Sequence, residues 1–519
     1  MTAKTLMIQG TGSSVGKSII VAALCRIFRQ DGLSVAPFKS QNMALNSFVT
    51  RDGGEMGRAQ VVQAQAAGIE PSVDMNPVLL KPEADARCQV VVMGRPALTC
   101  PAKEYYLHTP RLFQIASEAL ERLRRSYDLV IIEGAGSPAE INLRHHEIVN
   151  MRVARLAQAP VLLVGDIDKG GVFASLVGTL ALLDEEEERL IKGFIINKFR
   201  GDLSILQPGL DYLEQRTGRP VLGVVPYYHG IVIGEEDSVY RPEGESRGEQ
   251  VVDIAVIHFP RISNSTDFEP LQQEAGVRLR YVTAPYELGT PDAIILPGTK
   301  STIADLARLR QSGLAQAVVE RARAGTPVIG ICGGYQMLGK GISDPGHIES
   351  DKDSVAGLGL LDVATVFQPE KTTSQVEAEV ICDRGLLQGL GGQRLTGYEI
   401  HMGQSFSGKE QTATDGSAPF RVVKTPAGAA DYLDGTINEE GSIMGTYLHG
   451  LFDNASFRRA FLAGLRPSQE GLRRRKALPE TEAAALPTRE EQFDRLADLV
   501  RRSLNMGLVY KICGLGSQR

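Results

Sequence analysis

Two short stretches hold side chains whose types and spacing can do chemistry. The first is Gly10-Thr11-Gly12-Ser13-Ser14-Val15-Gly16-Lys17-Ser18, set between the apolar runs Leu6-Met7-Ile8 and Ile19 to Leu24. A glycine-rich turn leaving a strand and entering a helix aims several backbone N–H groups at one spot, where the helix N-terminus favours phosphate oxygens. Lys17 adds a mobile positive charge for the β- and γ-phosphates, and the Ser18 hydroxyl can ligate Mg²⁺. The outer glycine is Gly10, so the loop is one residue longer than the common G-x-x-x-x-G-K-[ST] spacing. The extra residue leaves the mechanism intact, and residues Gly10 to Ser18 are expected to bind ATP.

The second stretch is Ile329-Gly330-Ile331-Cys332-Gly333-Gly334-Tyr335-Gln336-Met337-Leu338-Gly339. A strand running into a sharp turn and then a helix holds a nucleophile out at the sheet edge, and the flanking glycines remove Cβ clashes from the turn. A helix N-terminus behind Cys332 favours the thiolate, the nucleophilic species. The Gly333 N–H, with an N–H from Gly298 or Thr299, can form an oxyanion hole. The base expected for this nucleophile is His449, at a strand end in Gly445-Thr446-Tyr447-Leu448-His449-Gly450. His401, two residues after Glu399, competes for that role.

These groups need two α/β sheets to position them. In the first half, helix Lys17 to Arg29 closes at Asp31-Gly32 and is followed by strand Leu33 to Phe38. Ser40, Gln41 and Asn42 then fall at the sheet edge where open α/β sheets bind ligands, which makes them substrate candidates together with the insertion Gly53 to Lys81. Strand Tyr127 to Ile132 ends at Glu133, and strand Val161 to Val164 leads to Asp166. Two acidic strand ends near one phosphate loop suggest metal ligation by Ser18, Glu133 and Asp166. Strand Gly193 to Ile196 delivers Asn197, whose amide can match a purine edge. Charged residues 235–250 read as a linker, which divides the chain into a phosphate-loop domain (1–234), a second α/β domain (251–465) and a charged, partly helical tail (466–519). In the second domain, Ala293 to Leu296 and Pro327 to Ile331 read as strands, Thr302 to Ala324 as one helix, and Asp362 to Phe367 and Val376 to Cys382 as separate strands.

The composition excludes several classes. A net charge of −6 over 519 residues, with no basic block, argues against a nucleic-acid surface. No apolar run approaches the roughly 18 residues of a membrane span, and the first strand follows Met1 too closely to leave room for a signal peptide. Six cysteines without metal-ligand or disulfide spacing suit a reducing cytoplasm.

At family level, Gly330 to Gln336 with Tyr447-Leu448-His449-Gly450 resembles class I glutamine amidotransferase domains. The Gly10 to Ser18 loop with Glu133-Gly134-Ala135-Gly136 resembles dethiobiotin synthetase. Joined in this order, the two resemble the corrin amidases of cobalamin biosynthesis, and the stretches Lys39 to Asn46, Gly54 to Gln60, Asp74 to Pro77 and Asp166 to Gly171 carry the closer likeness. The resemblance implies a parallel ATP-binding sheet followed by a glutaminase sheet. It also implies ATP, Mg²⁺, glutamine and a corrinoid as ligands, with amidation of the b, d, e and g carboxylates of adenosylcobyrinic acid a,c-diamide. Class I amidotransferases usually place Glu two residues after the histidine, where this chain has Leu451, so the third triad role is unassigned and Glu399 is its candidate. Two other readings stand beside this one: amidation of a different carboxyl acceptor, such as the earlier a,c-diamide step, and a nucleotide-switch ATPase with a non-catalytic partner domain.

Overall fold

The computed structural model describes residues 2–84, 87–228, 252–407, 417–465 and 488–516. The linker expected at 235–250 lies outside the described residues. The chain forms two compact units, one from the described residues of 1–44, 55–237 and 487–519, the other from those of 45–54 and 238–486.

The first unit is built on a six-stranded sheet in the order Val221–Pro226, Ile191–Phe199, Val161–Asp166, Lys4–Gly10, Leu129–Glu133, Val35–Phe38. Every pairing in it is parallel. Leu6, Met7 and Ile8 are fully buried, as are Val130 to Ile132 and Leu162 to Val164, the pattern of a sheet covered on both faces. Lys4–Gly10 lies between Val161–Asp166 and Leu129–Glu133, so three neighbouring carboxyl ends deliver the phosphate loop, Asp166 and Glu133 to one edge. Ligands bind at such edges of open α/β sheets. A second sheet, Gln41–Met43, Val78–Ala84, Arg87–Val92 and Arg95–Pro101, overlaps the expected insertion Gly53 to Lys81 only at its strand Val78–Ala84, and helix Arg58–Ala67 fills much of the rest.

The end of the chain is more than a charged tail. Helix Arg489–Ser503 buries Phe493, Leu496, Ala497 and Val500 in the same apolar cluster as the phosphate-loop helix Lys17–Gln30. Arg26 meets Glu490 and Asp494 at 2.7 Å each, and Arg501 meets Asp31 at 2.9 Å. A Cβ at Gly223 would stand 1.9 Å from Ser503 O, so the approach of this helix requires glycine there.

The second unit has its own sheet, ordered Val277–Val282, Val252–Ile257, Ala293–Leu296, Val328–Ile331, Ile443–Thr446, Thr436–Ile437, with only the last pair antiparallel. The helix expected over Thr302 to Ala324 is two, Thr302–Gln311 and Leu314–Arg323, because Gly313 takes φ +81° between them. The two strands expected within 362–382 are one, Val363–Val380, paired with Arg394–Ser407. The register shifts between Phe367 and Thr372, where exposed Pro369 offers no N–H.

Candidate active sites

In the first unit, Ser13, Ser14, Gly16, Lys17 and Ser18 line a cavity with Lys39, Asn42, Met43, Glu133 and Gly136. Gly16 adopts φ +96°, and a Cβ at Gly10 would meet Val15 Cγ2 at 2.5 Å, so both loop glycines are required by the turn. Lys17 Nζ donates to Gly12 O at 2.8 Å and Gly136 O at 3.2 Å, which holds the cation over the loop. Ser18 Oγ donates to Glu133 Oε1 at 2.8 Å. Glu133 is completely buried; burial opposes its charge, but Lys39 at 3.1 Å, the hydrogen bonds from Gln63 and Ser18, and Lys17 hold its carboxyl below the usual range. The result is an anionic oxygen beside a hydroxyl oxygen. That hard donor pair suits Mg²⁺ with phosphate and water completing the shell.

Two sequence expectations change here, and a third gains a contact. Asn197, the candidate for a base edge, is buried and its Nδ2 donates to Val15 O at 2.9 Å, so it also holds the loop. It packs so closely that a Cβ at Gly16 would lie 2.1 Å from Nδ2. Asp166 is paired with Lys198 at 3.1 Å and accepts from Asp168 N at 2.9 Å; it does not line the cavity with Ser18 and Glu133. Of Ser40, Gln41 and Asn42, only Asn42 reaches the cavity; Ser40 is fully buried and Gln41 accepts from Tyr105 Oη. Lys39, one residue before those candidates at the same strand end, lines it as well.

In the second unit, Cys332 ends strand Val328–Ile331 and precedes helix Gly333–Leu338 with φ +51° and ψ −109°, a backbone that only a tightly held turn imposes on a non-glycine residue. Cys332 N donates to Thr446 O at 2.8 Å, and Gln336 N to Cys332 O at 3.0 Å. A Cβ at Gly334 would stand 1.9 Å from Leu296 O, which explains the second glycine. One at Gly333 would stand 3.1 Å from Thr299 N, and one at Gly298 would stand 3.3 Å from His449 Cε1. The structure thus brings Gly298, Thr299, Gly333, Cys332 and His449 together. The Gly333 N–H, first in its helix, has no intrahelical acceptor and is available to an oxyanion.

His449 is buried, and its Nδ1 is 2.6 Å from Asp267 Oδ2, whose other oxygen accepts from Gly450 N at 3.2 Å. The Tyr398 ring stacks on the imidazole at 5.2 Å. Burial works against a charged ring, yet the charge and hydrogen bond of Asp267, with Cys332 adding to them, push the imidazole up to about 10. Nε2, the nitrogen away from Asp267, has no other hydrogen-bond partner among the described residues. Asp267 therefore fills the place offered to Glu399. Glu399 instead accepts from Tyr432 Oη at 2.6 Å and is pushed up to about 7 by burial and by Asp434. His401 also loses its candidacy as base: Nδ1 donates to Gly403 O at 2.8 Å, the ring stacks on Tyr447 at 3.9 Å, and burial pushes it down to about 4. Sequence reading passed over Asp267; the signal that could have found it is the polar run Asn264-Ser265-Thr266-Asp267 beyond strand Val252–Ile257, at the carboxyl edge that carries the cysteine.

A nucleotide-binding parallel sheet and a cysteine elbow with a His–Asp pair, held in one chain, define a glutamine-hydrolysing, ATP-dependent amide ligase. Two family models match: residues 6–237 as a CobQ/CobB/MinD/ParA nucleotide binding domain, and residues 253–457 as a CobB/CobQ-like glutamine amidotransferase domain. The chain is 56% identical to the cobyric acid synthase of Dehalococcoides mccartyi (strain CBDB1), over 99% of each chain. It is 53% identical to that of Sorangium cellulosum (strain So ce56), again over 99% of each, and 52% to that of Moorella thermoacetica (strain ATCC 39073 / JCM 9320), over 99% of this chain and 98% of the relative. The chain belongs to the cobyric acid synthase family. No helix among the described residues is long and apolar enough to cross a membrane.

Proposed function

We propose that this protein amidates the b, d, e and g carboxylates of adenosylcobyrinic acid a,c-diamide to give adenosylcobyric acid, with nitrogen from glutamine and activation by ATP. The reading is carried by the buried His449–Asp267 pair beside the Cys332 elbow, in a chain of the cobyric acid synthase family.

A carboxylate resists ammonia because its carbon is electron-rich and oxide does not leave. Transfer of the γ-phosphoryl group from ATP to the carboxylate oxygen gives an acyl phosphate and ADP; ammonia then adds to the carbonyl carbon, and phosphate departs with that oxygen as the nitrogen loses a proton. Lys17 and the loop N–H groups stabilise the charge on the transferring group. Ser18 and Glu133 are the residues that would hold Mg²⁺, which supplies charge neutralisation to the phosphates when bound.

Ammonia arises in the second unit. The Cys332 thiolate adds to the glutamine carboxamide carbon, and the oxyanion is received by the Gly333 N–H with Thr299 or Gly298. His449 gives its Nε2 proton to the departing nitrogen, which leaves as ammonia and a thioester remains. His449 then takes a proton from water as the water attacks the thioester, releasing glutamate and the thiol.

The test is to incubate the protein with adenosylcobyrinic acid a,c-diamide, ATP and glutamine and to follow mass. Four successive carboxyl-to-amide conversions are expected; an unchanged corrinoid refutes the assignment. Cys332→Ser should abolish glutamine use and spare ammonia use, while Lys17→Ala should lose both.

A further inference from the structure

The second unit takes residues 45–54 from a part of the chain that otherwise builds the first, and these residues lie against the glutamine-hydrolysing site. The turn that carries Asp267, the 3-10 helix Ser265–Phe268, lacks a side-chain cap of its own. Its first N–H is satisfied from outside: Asn46 Oδ1 accepts from Ser265 N at 2.9 Å and from Ser265 Oγ at 3.3 Å. The exchange is reciprocal, since Asn264 Oδ1 accepts from Ser47 N at 2.9 Å. Asn264 Nδ2 lies 3.5 Å from His449 Nδ1.

The same segment reaches the other side of the imidazole. Ser47 O accepts from Tyr398 Oη at 3.4 Å, and Phe48 packs on that ring at 5.2 Å, the tyrosine that stacks on His449. Val49 O accepts from Gln375 Nε2 at 2.9 Å, and Gly53 O from Thr373 Oγ1 at 2.8 Å, which anchors the far end of the segment. We propose that segment 45–54 is a positioning element for the catalytic His449–Asp267 pair, with Asn46 as its principal positioning residue. This rests on the reading of Cys332 and His449 as the glutamine-hydrolysing groups.

The physical reason is that Asp267 acts only while its carboxylate stays on Nδ1, and the short turn that carries it draws its first cap from Asn46. A buried N–H left without its acceptor is costly enough to let a single-turn helix shift. The groups that face His449 are Asp267 from this turn, Cys332 from the elbow, Glu399 and His401 from strand Arg394–Ser407, and Asp434 at the end of strand Gly428–Asp434. Among these, the Asp267 carboxylate, 2.6 Å from Nδ1, raises the ring most, so loosening its turn lowers the proton affinity of the imidazole.

The experiment uses the full chain with Asn46→Ala and Asn46→Asp, following glutamine hydrolysis from pH 6 to 11 beside ammonia-dependent amidation. Asn46→Ala should lower kcat for glutamine roughly tenfold or more, with KM within about threefold, and move the alkaline limb of the profile to lower pH. Ammonia-dependent amidation should be unchanged. Asn46→Asp keeps the acceptor and should hold the alkaline limb at or above its wild-type position. An unmoved limb in Asn46→Ala, or parallel loss with both nitrogen sources, overturns the proposal. Cys332→Ser run alongside separates the two failures, since retained glutamine use there would remove the underlying site assignment and not only the role of Asn46.

Discussion

Replacing Asp267 with Asn keeps the size of the side chain and removes the charge that faces His449 Nδ1 across 2.6 Å, between side chains only 1% and 4% exposed. The rise of the imidazole from 6.5 to about 10 is worth roughly 5 kcal/mol, at about 1.4 kcal/mol per tenfold in proton affinity. That is the scale expected when one partner of a buried charged pair is lost, about 3–5 kcal/mol. Without Asp267, burial is left to depress the ring, so its proton affinity falls to the ordinary value or below. At about pH 8 the imidazolium share then drops from nearly all to about 3% or less. Loss of the ring's orientation and tautomer adds to this, and kcat/KM for glutamine should fall roughly 10²–10³-fold. The assay is glutamate release against pH: wild type should hold its activity well above pH 8, and Asp267→Asn should lose its alkaline limb to near neutrality. The linkage to stability has the same sign. A raised folded-state value stabilises the fold fully below about 6.5, and the contribution is lost as pH rises through about 10, so only the wild type should show this part of the alkaline decline. Glutamine hydrolysis by Asp267→Asn within about threefold of wild type, with an unmoved limb, would refute the reasoning.

Glu133→Gln removes the charge of the carboxylate whose Oε1 receives Ser18 and Lys39 and whose Oε2 receives Gln63, while keeping its shape; ATP-dependent amidation should fall by roughly 10² or more with either nitrogen source, and glutamine hydrolysis at saturating glutamine should persist, measured by glutamate release. Gly334→Ala places a Cβ 1.9 Å from Leu296 O, a backbone atom of the central sheet that cannot rotate away. Its melting temperature should drop by several degrees for a cost of roughly 1–3 kcal/mol, with loss of glutamine use, and a variant as stable and active as wild type would contradict the close packing at the elbow.

The features legible in the sequence are those held in one contiguous stretch. The phosphate loop and the cysteine elbow are strand–turn–helix units whose glycines answer to local sterics, which the Cβ clashes at Gly10 and Gly334 express. His449 was visible because it ends a short apolar strand beside the one that carries Cys332. Asp267 was not, because it comes to the imidazole from a turn 182 residues earlier, whereas the position two residues after the histidine holds Leu451 and the candidate offered in its place was Glu399. For Asn197 the position at a strand end was legible, but only packing shows that its amide nitrogen holds Val15 O. The same limit hid where segment 45–54 and helix Arg489–Ser503 pack, although the helix itself was expected; each joins a unit distant in sequence. Capping and register preferences are local, whereas which unit buries a segment is decided by partners hundreds of residues away.

The two histidines of the second unit show how a single such partner assigns the chemistry. His449 is fully buried and His401 half-buried, and burial alone drives both rings toward the neutral form. His401 has only a neutral carbonyl, Gly403 O, on Nδ1 and sits near 4, so at neutral pH it has no proton on its second nitrogen to give. His449 has the Asp267 carboxylate on Nδ1 and sits near 10, so it keeps a proton on Nε2, where glutamine's nitrogen needs one to leave as ammonia. The strand ends supply two imidazoles, and the turn at 265–268 makes one of them an acid.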